Sequence, residues 1–386
     1  MKKVLMLATT AAMIEQFNKS NILILEEMGY TVDVAGNFDE GNPISQEKLN
    51  LFKTWLEEHG AGWYNLPATR KPTDLKNNRR ALKMVISLIK ENHYEFIHCH
   101  TPLGSVIGRF AAHKTKTPII YTAHGFHFFK GAPIKNWLIY YPIEWFCSFM
   151  TDLLITINKE DFKRANRHLH AKDVKYIPGV GVDIPRFQNC VINKEAYIRE
   201  FNFPEDAFVL LSVGELMERK NQIVIIEALH KLNNPNIYYL AVGQGHLQKL
   251  YESKICEYHL ENQIKLLGFR DDVDRLCKYA NCFVHPSIRE GLGIAPLEAM
   301  ASGMPLISAN INGMKDYTAQ NKTGFCIHPT EVDEMANAID YIYKHPEFAK
   351  ACGTHNQKVV KKYDIAHSKS VMRDIYATFI KTHEGK

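Results

Sequence analysis

The chain has 386 residues, of which 46% are apolar and 23% charged, with a formal net charge of +5. That suits a soluble protein of two domains, each able to bury its own core. No apolar run reaches the roughly 20 residues of a membrane span, no basic–aromatic motif of an RNA-binding module occurs, and the eight cysteines make no C-x-x-C pair, which excludes a disulfide scaffold or a zinc ribbon and suits reduced thiols in a cytosolic protein.

The charge is unevenly placed. Lys and Arg against Asp and Glu number 23 to 18 over residues 1–183, 24 to 24 over 184–386, and 18 to 9 over 70–183. A basic N-terminal half fits an anionic membrane surface or a phosphorylated acceptor, not nucleic acid; a scatter of solvated lysines is the plainer alternative.

The opening MKKVLMLATTAAMI imitates a secretion leader, but Glu15 and Lys19 follow at once and apolar residues continue at helical spacing. It is therefore expected to be a first strand (3–8) and helix (12–28), with a second strand at 31–35, the start of a doubly wound domain. The loop Thr9–Ala12 lacks glycine, which argues against a dinucleotide site. Helices are expected at 46–58, 74–92 and 103–114, and strands at 62–66, 95–99 and 118–122. The aromatic stretch 124–150 follows, too short for a span. It reads either as a buried helix or as an interfacial, lipid-acceptor surface. Strand 152–157, helix 159–168 and strand 174–177 lead to Pro178-Gly-Val-Gly-Val-Asp183, a flexible boundary placed near residue 184.

The second half repeats the alternation. Strands are expected at 207–213, 237–242, 263–267, 281–285 and 304–308. Helices are expected at 221–232, 246–259, 272–280, 294–301, 313–319, 331–344, 346–361 and 366–382. Within it, Asn281–His285 (strand), Gly291 and Gly293 (loop) and Ile294–Ala301 (helix) aim free N–H groups and a positive dipole end at an anion such as phosphate. Glu290 and Glu298 flank this start with seven residues between them, and carboxylates accept paired hydrogen bonds from sugar hydroxyls. A ligand with phosphates in the middle and polyols at its ends is a nucleotide sugar. The plainer reading has Glu298 in the first turn favouring the dipole and Glu290 solvated.

The run EGLGIAPLEAMASGMP, framed by HPS and ASGxP, resembles the Glu-seven-Glu signature of the family-4 retaining glycosyltransferases of the GT-B fold. The resemblance covers essentially the whole chain and is strongest over 206–308. It implies two doubly wound Rossmann-like domains facing a cleft: an acceptor domain (1–184), a donor domain (185–365) and a C-terminal helix (366–386) crossing back to the first. By the same resemblance, Glu298 holds the ribose, Glu290 the donor sugar, and the amides of Gly293, Ile294 and Ala295 face the diphosphate. Phe269 and Arg270 lie near the base, and the strand-end glycines Gly214 and Gly243 line the donor site. A basic pair clamps the diphosphate. Lys220 matches its lysine, but Glu215 stands where the family has arginine; Arg219 is expected to take over, with Glu215 turned away or on a donor hydroxyl. A lysine at a helix start opposes the dipole unless an anion binds there.

His124 resembles the family histidine that reaches the donor sugar at the transferring centre. His98, His100, His124 and His127 also raise a zinc site, but an acceptor or structural role is expected and no metal. Asp272-x-Asp274 reads as a helix cap and not a metal motif. Phe126, His127, Lys130 and Trp137 are the expected acceptor-binding residues. The function implied is transfer, with retention, of a hexose or N-acetylhexosamine from a nucleotide sugar, with UDP the expected nucleotide. The acceptor would be a glycan or polyprenyl-diphosphate-linked sugar in bacterial capsule or exopolysaccharide synthesis, at the cytoplasmic face of the inner membrane and with no cofactor. A GT-B sugar-nucleotide epimerase and a periplasmic-type sugar-binding protein are the alternatives.

Overall fold

The computed structural model describes residues 2–42 and 44–383. The chain forms two compact units, one of residues up to Val180 together with those from Ala366 on, the other Gly181–Ile365.

The first unit is built on a seven-stranded parallel sheet of β1 (Lys2–Thr10), β2 (Tyr30–Asn37), β3 (Trp63–Asn65), β4 (Phe96–His100), β5 (Ile119–Ala123), β6 (Leu153–Thr156) and β7 (Asp173–Tyr176). Their spatial order is β3-β2-β1-β4-β5-β6-β7. Strands buried on both faces by crossover helices must be apolar nearly throughout, which is why VLMLA, IIYTA and LLIT carry no alternation. Strand order reverses between β1 and β4, the point where such sheets leave a crevice beyond the strand ends.

The second unit has a six-stranded parallel sheet of β8 (Phe208–Val213), β9 (Ile237–Val242), β10 (Ile264–Gly268), β11 (Cys282–His285), β12 (Leu306–Ala309) and β13 (Gly324–Ile327). The order is β10-β9-β8-β11-β12-β13, with the reversal between β8 and β11.

Several elements differ from the sequence expectation. Helix 12–28 is two helices, Ala11–Phe17 and Lys19–Glu27, joined at buried Asn18. Its amide donates to Met13 O at 3.2 Å and its Oδ1 accepts from Asn21, so the side chain competes with the helix ladder. β13 was not expected, because four residues pairing only with β12 show no period of their own. Short helices at Ile184–Gln188 and Lys194–Phe201 were also missed, and the expected helix 313–319 is a 3₁₀ turn, Asn312–Asp316.

The last helix, Ile365–His383, packs its aromatic residues into the first unit: Phe379 and Tyr376 lie 5.4 and 6.2 Å from the Phe96 ring.

Candidate functional site

The β8–β11 reversal assembles the expected donor residues of the second unit. The chain leaves β8 at Gly214 and turns through Arg219 and Lys220 before a helix begins at Ile223. Lys220 is thus in the turn ahead of that helix, which starts two residues later than the expected 221. The loop is pressed against its neighbours. Gly243, at φ +136°, lies so close to Gly214 that a Cβ would sit 2.0 Å from the Gly214 carbonyl oxygen. The Lys220 stem crosses Gly214, where a side chain would meet its Cε at 3.1 Å.

Both cations reach the loop after β11. Lys220 Nζ pairs with Glu290 Oε1, and Arg219 lies 3.1 Å from Glu290 Oε2 while also donating to the Arg289 carbonyl at 3.1 Å. Ile288 N donates to the Arg219 carbonyl at 2.9 Å, fixing one loop to the other. His285 Nε2 and Ser287 Oγ each lie 3.2 Å from Glu290 Oε1. Burial alone would raise the Glu290 carboxyl, but Lys220, the His285 hydrogen bond and Arg219 outweigh it and hold it well below the usual range. Burial likewise keeps His285 neutral, with Lys220 adding to the effect against the attraction of Glu290. His285 and Ser287, the H and S of the framing HPS, were not singled out from sequence; their polarity at a buried strand end was the available signal.

Gly293 opens helix Ile294–Ala301 at φ +83°, with no side chain capping the first turn. Its positive φ and the Tyr317 hydroxyl, 3.2 Å from where a Cβ would stand, both favour glycine. Tyr317 also donates to Leu292 O at 2.8 Å, holding the loop that presents the helix start. Because Pro296 has no N–H, the uncapped N–H groups are those of Gly293, Ile294 and Ala295. Glu298 lies in the second turn, not the first as expected from sequence. Its carboxyl has no hydrogen bond or ion pair among the described residues. Burial pushes its pKa up to about 7, against the pull of Arg186 and with the repulsion of Asp274.

Asn312 is a further residue that sequence reasoning missed. It is buried, and neither side-chain polar atom has a partner, while the N–H of Gly313 approaches Glu290 O at 3.4 Å.

Other expected residues are placed differently. Glu215 is exposed and outside the cluster. Arg270 grips Asp272 through two nitrogens at 2.8 and 2.7 Å and also meets Glu200, so its guanidinium is already engaged. Asp272 therefore makes no capping bond; it bonds Arg270 and the Tyr197 hydroxyl, while Asp274 pairs with Arg186. Phe269 is 67% exposed beyond β10, free to meet a planar ligand.

In the first unit, β4 and the residue after β5 carry an imidazole chain, His98 and His100 buried and His124 half-buried. His98 bonds the Tyr376 and Thr122 hydroxyls at 2.7 and 2.8 Å, and His100 Nδ1 lies 3.1 Å from His124 Nε2. Burial keeps all three neutral, lowering His98 to about 3 and His124 to about 4 and His100 well below its usual value. Among the described residues no group of three or more His, Cys, Asp or Glu could hold a metal ion.

The aromatic stretch departs most from expectation. Phe126 is buried and stacks on Phe128 at 4.8 Å, so its ring cannot meet an acceptor. Trp137 is packed against Phe128 beneath the Arg164 guanidinium, and His127 lies 4.4 Å from the Tyr140 ring. Of the four, Lys130 alone is exposed, its N–H donating to Glu160.

Residues 193–359 match the family model described as glycosyl transferases group 1, and residues 3–158 match glycosyl transferase 4-like. The chain is 34% identical to the putative glycosyltransferase EpsD of Bacillus subtilis, over 98% of this chain and 97% of that protein. It is 27% identical to the UDP-Gal:alpha-D-GlcNAc-diphosphoundecaprenol alpha-1,3-galactosyltransferase of Escherichia coli, over 82% and 83% of the two chains. Anabaena HepE, solved in complex with UDP-glucose, superposes with a TM-score of 0.78 at 20% identity over 98% and 100% of the chains, a likeness of fold.

Proposed function

The chain belongs to the group 1 glycosyl transferases, and we propose that it is a retaining hexosyl- or N-acetylhexosaminyltransferase using a UDP-linked donor. Its acceptor would be a polyprenyl-diphosphate-linked glycan of surface polysaccharide assembly. The observation that carries this reading is the meeting of Arg219 and Lys220 on Glu290 at the β8–β11 reversal, in the loop that runs on to the uncapped helix start at Ile294. Cations and free amides suit a diphosphate, and ionised carboxylates suit hydroxyls on either side of it. The E. coli relative takes UDP-galactose and a diphosphoundecaprenol acceptor, and HepE binds UDP-glucose, which supports the donor and acceptor classes.

In this reading Glu298 receives the ribose hydroxyls. Phe269 stacks on the base, and Arg270 only shapes that corner because its guanidinium is taken. Glu290 keeps a lone pair on Oε2, which has Arg219 as partner, for a donor-sugar hydroxyl. Asn312 offers its unpaired amide to the same sugar.

The acceptor hydroxyl attacks the anomeric carbon on the face from which the diphosphate departs. One C–O bond forms as the other breaks, and the proton passes to the leaving phosphate oxygen. Arg219, Lys220 and the helix start stabilise the charge gathering there, so no enzyme nucleophile, resident metal or cofactor is required. Incubation with a panel of UDP-sugars and a lipid-diphosphate sugar acceptor tests the proposal. A glycoside with the donor's anomeric configuration is expected. An inverted product, or isomerised donor without acceptor, would replace the assignment with an inverting transferase or an epimerase.

A further inference from the structure

Helix Ile134–Ser148 of the first unit is apolar on both faces: Trp137, Tyr140, Tyr141 and Cys147 pack against the core, and a second apolar row faces out. Its inward face carries Glu144 and Ser148, both buried, while Leu138, Ile139, Ile143, Trp145 and Phe146 point outward and exposed, followed by Phe149. Leu138 is 72% exposed and Phe146 54%. The side that faces inward is fixed by a buried ion pair. Arg109, fully buried, reaches the two Glu144 oxygens at 2.5 and 3.2 Å and lies 4.5 Å from the Tyr121 ring. Ser148 Oγ accepts from His170 N at 2.8 Å. Turning the outer apolar row inward would strand both charges, so this orientation is held by the core.

A soluble protein does not keep so large an apolar patch in water without a use. The helix has 15 residues, about 22 Å of rise against a hydrocarbon core of about 30 Å, so it can lie on a bilayer but not cross it. Its neighbours supply charge. Helix Pro102–Thr115 packs beside it, with Phe110 6.2 Å from Phe146 and exposed Lys114 further along. Helix Leu75–Asn92 packs beside that one and shows Lys76, Arg79, Arg80 and Lys83 on a single exposed face. These four stand at i, i+3, i+4 and i+7, so every neighbouring pair on that face repels, and they line an open hollow of about 440 Å³ with exposed Leu75. An unpaired cationic face costs helix stability that an anionic partner would return.

We propose that the outer face of helix 134–148, flanked by the cations of helix 75–92, docks this protein onto an anionic lipid bilayer. Apolar side chains including Trp145 enter the headgroup boundary while Lys and Arg meet lipid phosphates. A second copy is a poorer occupant, because the same apolar and cationic surface on the copy brings no anion to Lys76, Arg79, Arg80 and Lys83. The surface is separate from the donor chemistry and stands or falls apart from it.

The test is flotation of the full chain with vesicles of phosphatidylglycerol and phosphatidylethanolamine, and with phosphatidylcholine alone. The wild type should float with the anionic vesicles and lose binding as salt rises. Leu138→Ser/Phe146→Ser, at exposed positions, should keep its circular dichroism and melting temperature yet float roughly ten-fold less. Lys76→Glu/Arg79→Glu should bind less and lose its salt dependence. The proposal is overturned if the wild type stays unbound, if the apolar variant floats like wild type, or if the wild type is a dimer that the apolar variant dissolves.

Discussion

Lys220 donates to Glu290 across 70 residues of chain, joining the loop after β8 to the loop after β11. The pair is shielded from solvent, and Arg219 and His285 share the same carboxylate. It ties the two strand-end loops together, and these cations hold the Glu290 carboxyl well below its usual range.

Lys220→Ala should therefore act mainly on turnover. Removing a charge that stabilises a leaving diphosphate costs roughly 10²–10³ in kcat. Stability should fall by only about 1–2 kcal/mol, because Arg219 and His285 still partner the carboxylate. Steady-state kinetics with a thermal melt separates the two effects. A large loss of stability with normal turnover would make the pair structural.

Glu298 should link nucleotide binding to pH. With its pKa near 7 the carboxyl is partly protonated at neutrality, and only the ionised form accepts fully from two ribose hydroxyls. UDP affinity measured calorimetrically should rise from pH 6 to pH 8. The stability sign is opposite. Because the folded pKa is raised above the unfolded value of 4.5, the stability associated with this group is full below pH 4.5 and is lost as pH rises through about 7. Glu298→Gln should remove that loss, stabilising the protein by about 2 kcal/mol at pH 8 and little at pH 5, while weakening UDP.

The imidazole chain should make the first unit acid-sensitive. The folded values of His98 and His124 lie near 3 and 4, below the 6.5 of an exposed histidine. Their contribution is present above pH 6.5 and is lost as pH falls toward 4. Unfolding midpoints from pH 7 to 4.5 should drop steeply, and His98→Asn should flatten the slope. A pH-independent midpoint would contradict the buried, neutral assignment.

Glu144→Gln should leave Arg109 charged and under-paired in the core, at a cost of about 3 kcal/mol. The double change Arg109→Met/Glu144→Leu should recover much of it. Chemical denaturation of the three proteins gives the comparison.

The alternation of apolar runs and amphipathic segments was enough to read nearly every strand, since parallel sheets buried on both faces leave little ambiguity in composition. β13 escaped because Gly324–Ile327 is defined by its neighbour β12 and not by a pattern of its own. In the site, glycines and carboxylates at fixed spacing drew notice to Glu290 and Glu298, but the resemblance to the family-4 signature assigned their roles, and it alone assigned Lys220. Arg270 was not legible: its engagement by Asp272 and Glu200 depends on where Glu200, 70 residues away, comes to lie. The aromatic stretch misled for a related reason. Composition could not tell that Trp137 faces inward while Leu138 and Phe146 face out, because the pairing of Glu144 with Arg109 on another helix fixes which side of this helix turns inward.

The central claim, a UDP-sugar site organised by Glu290 and Glu298, is tested most directly by thermal stability in buffer, UDP, GDP and ADP, for wild type and Glu298→Ala. Ligand at a hundred times its dissociation constant contributes about 2.7 kcal/mol, a rise of a few degrees in a protein of this size. A shift with UDP, smaller with GDP and ADP and absent in the variant, is the predicted result. No shift with any nucleotide, or an equal UDP shift in Glu298→Ala, would contradict it.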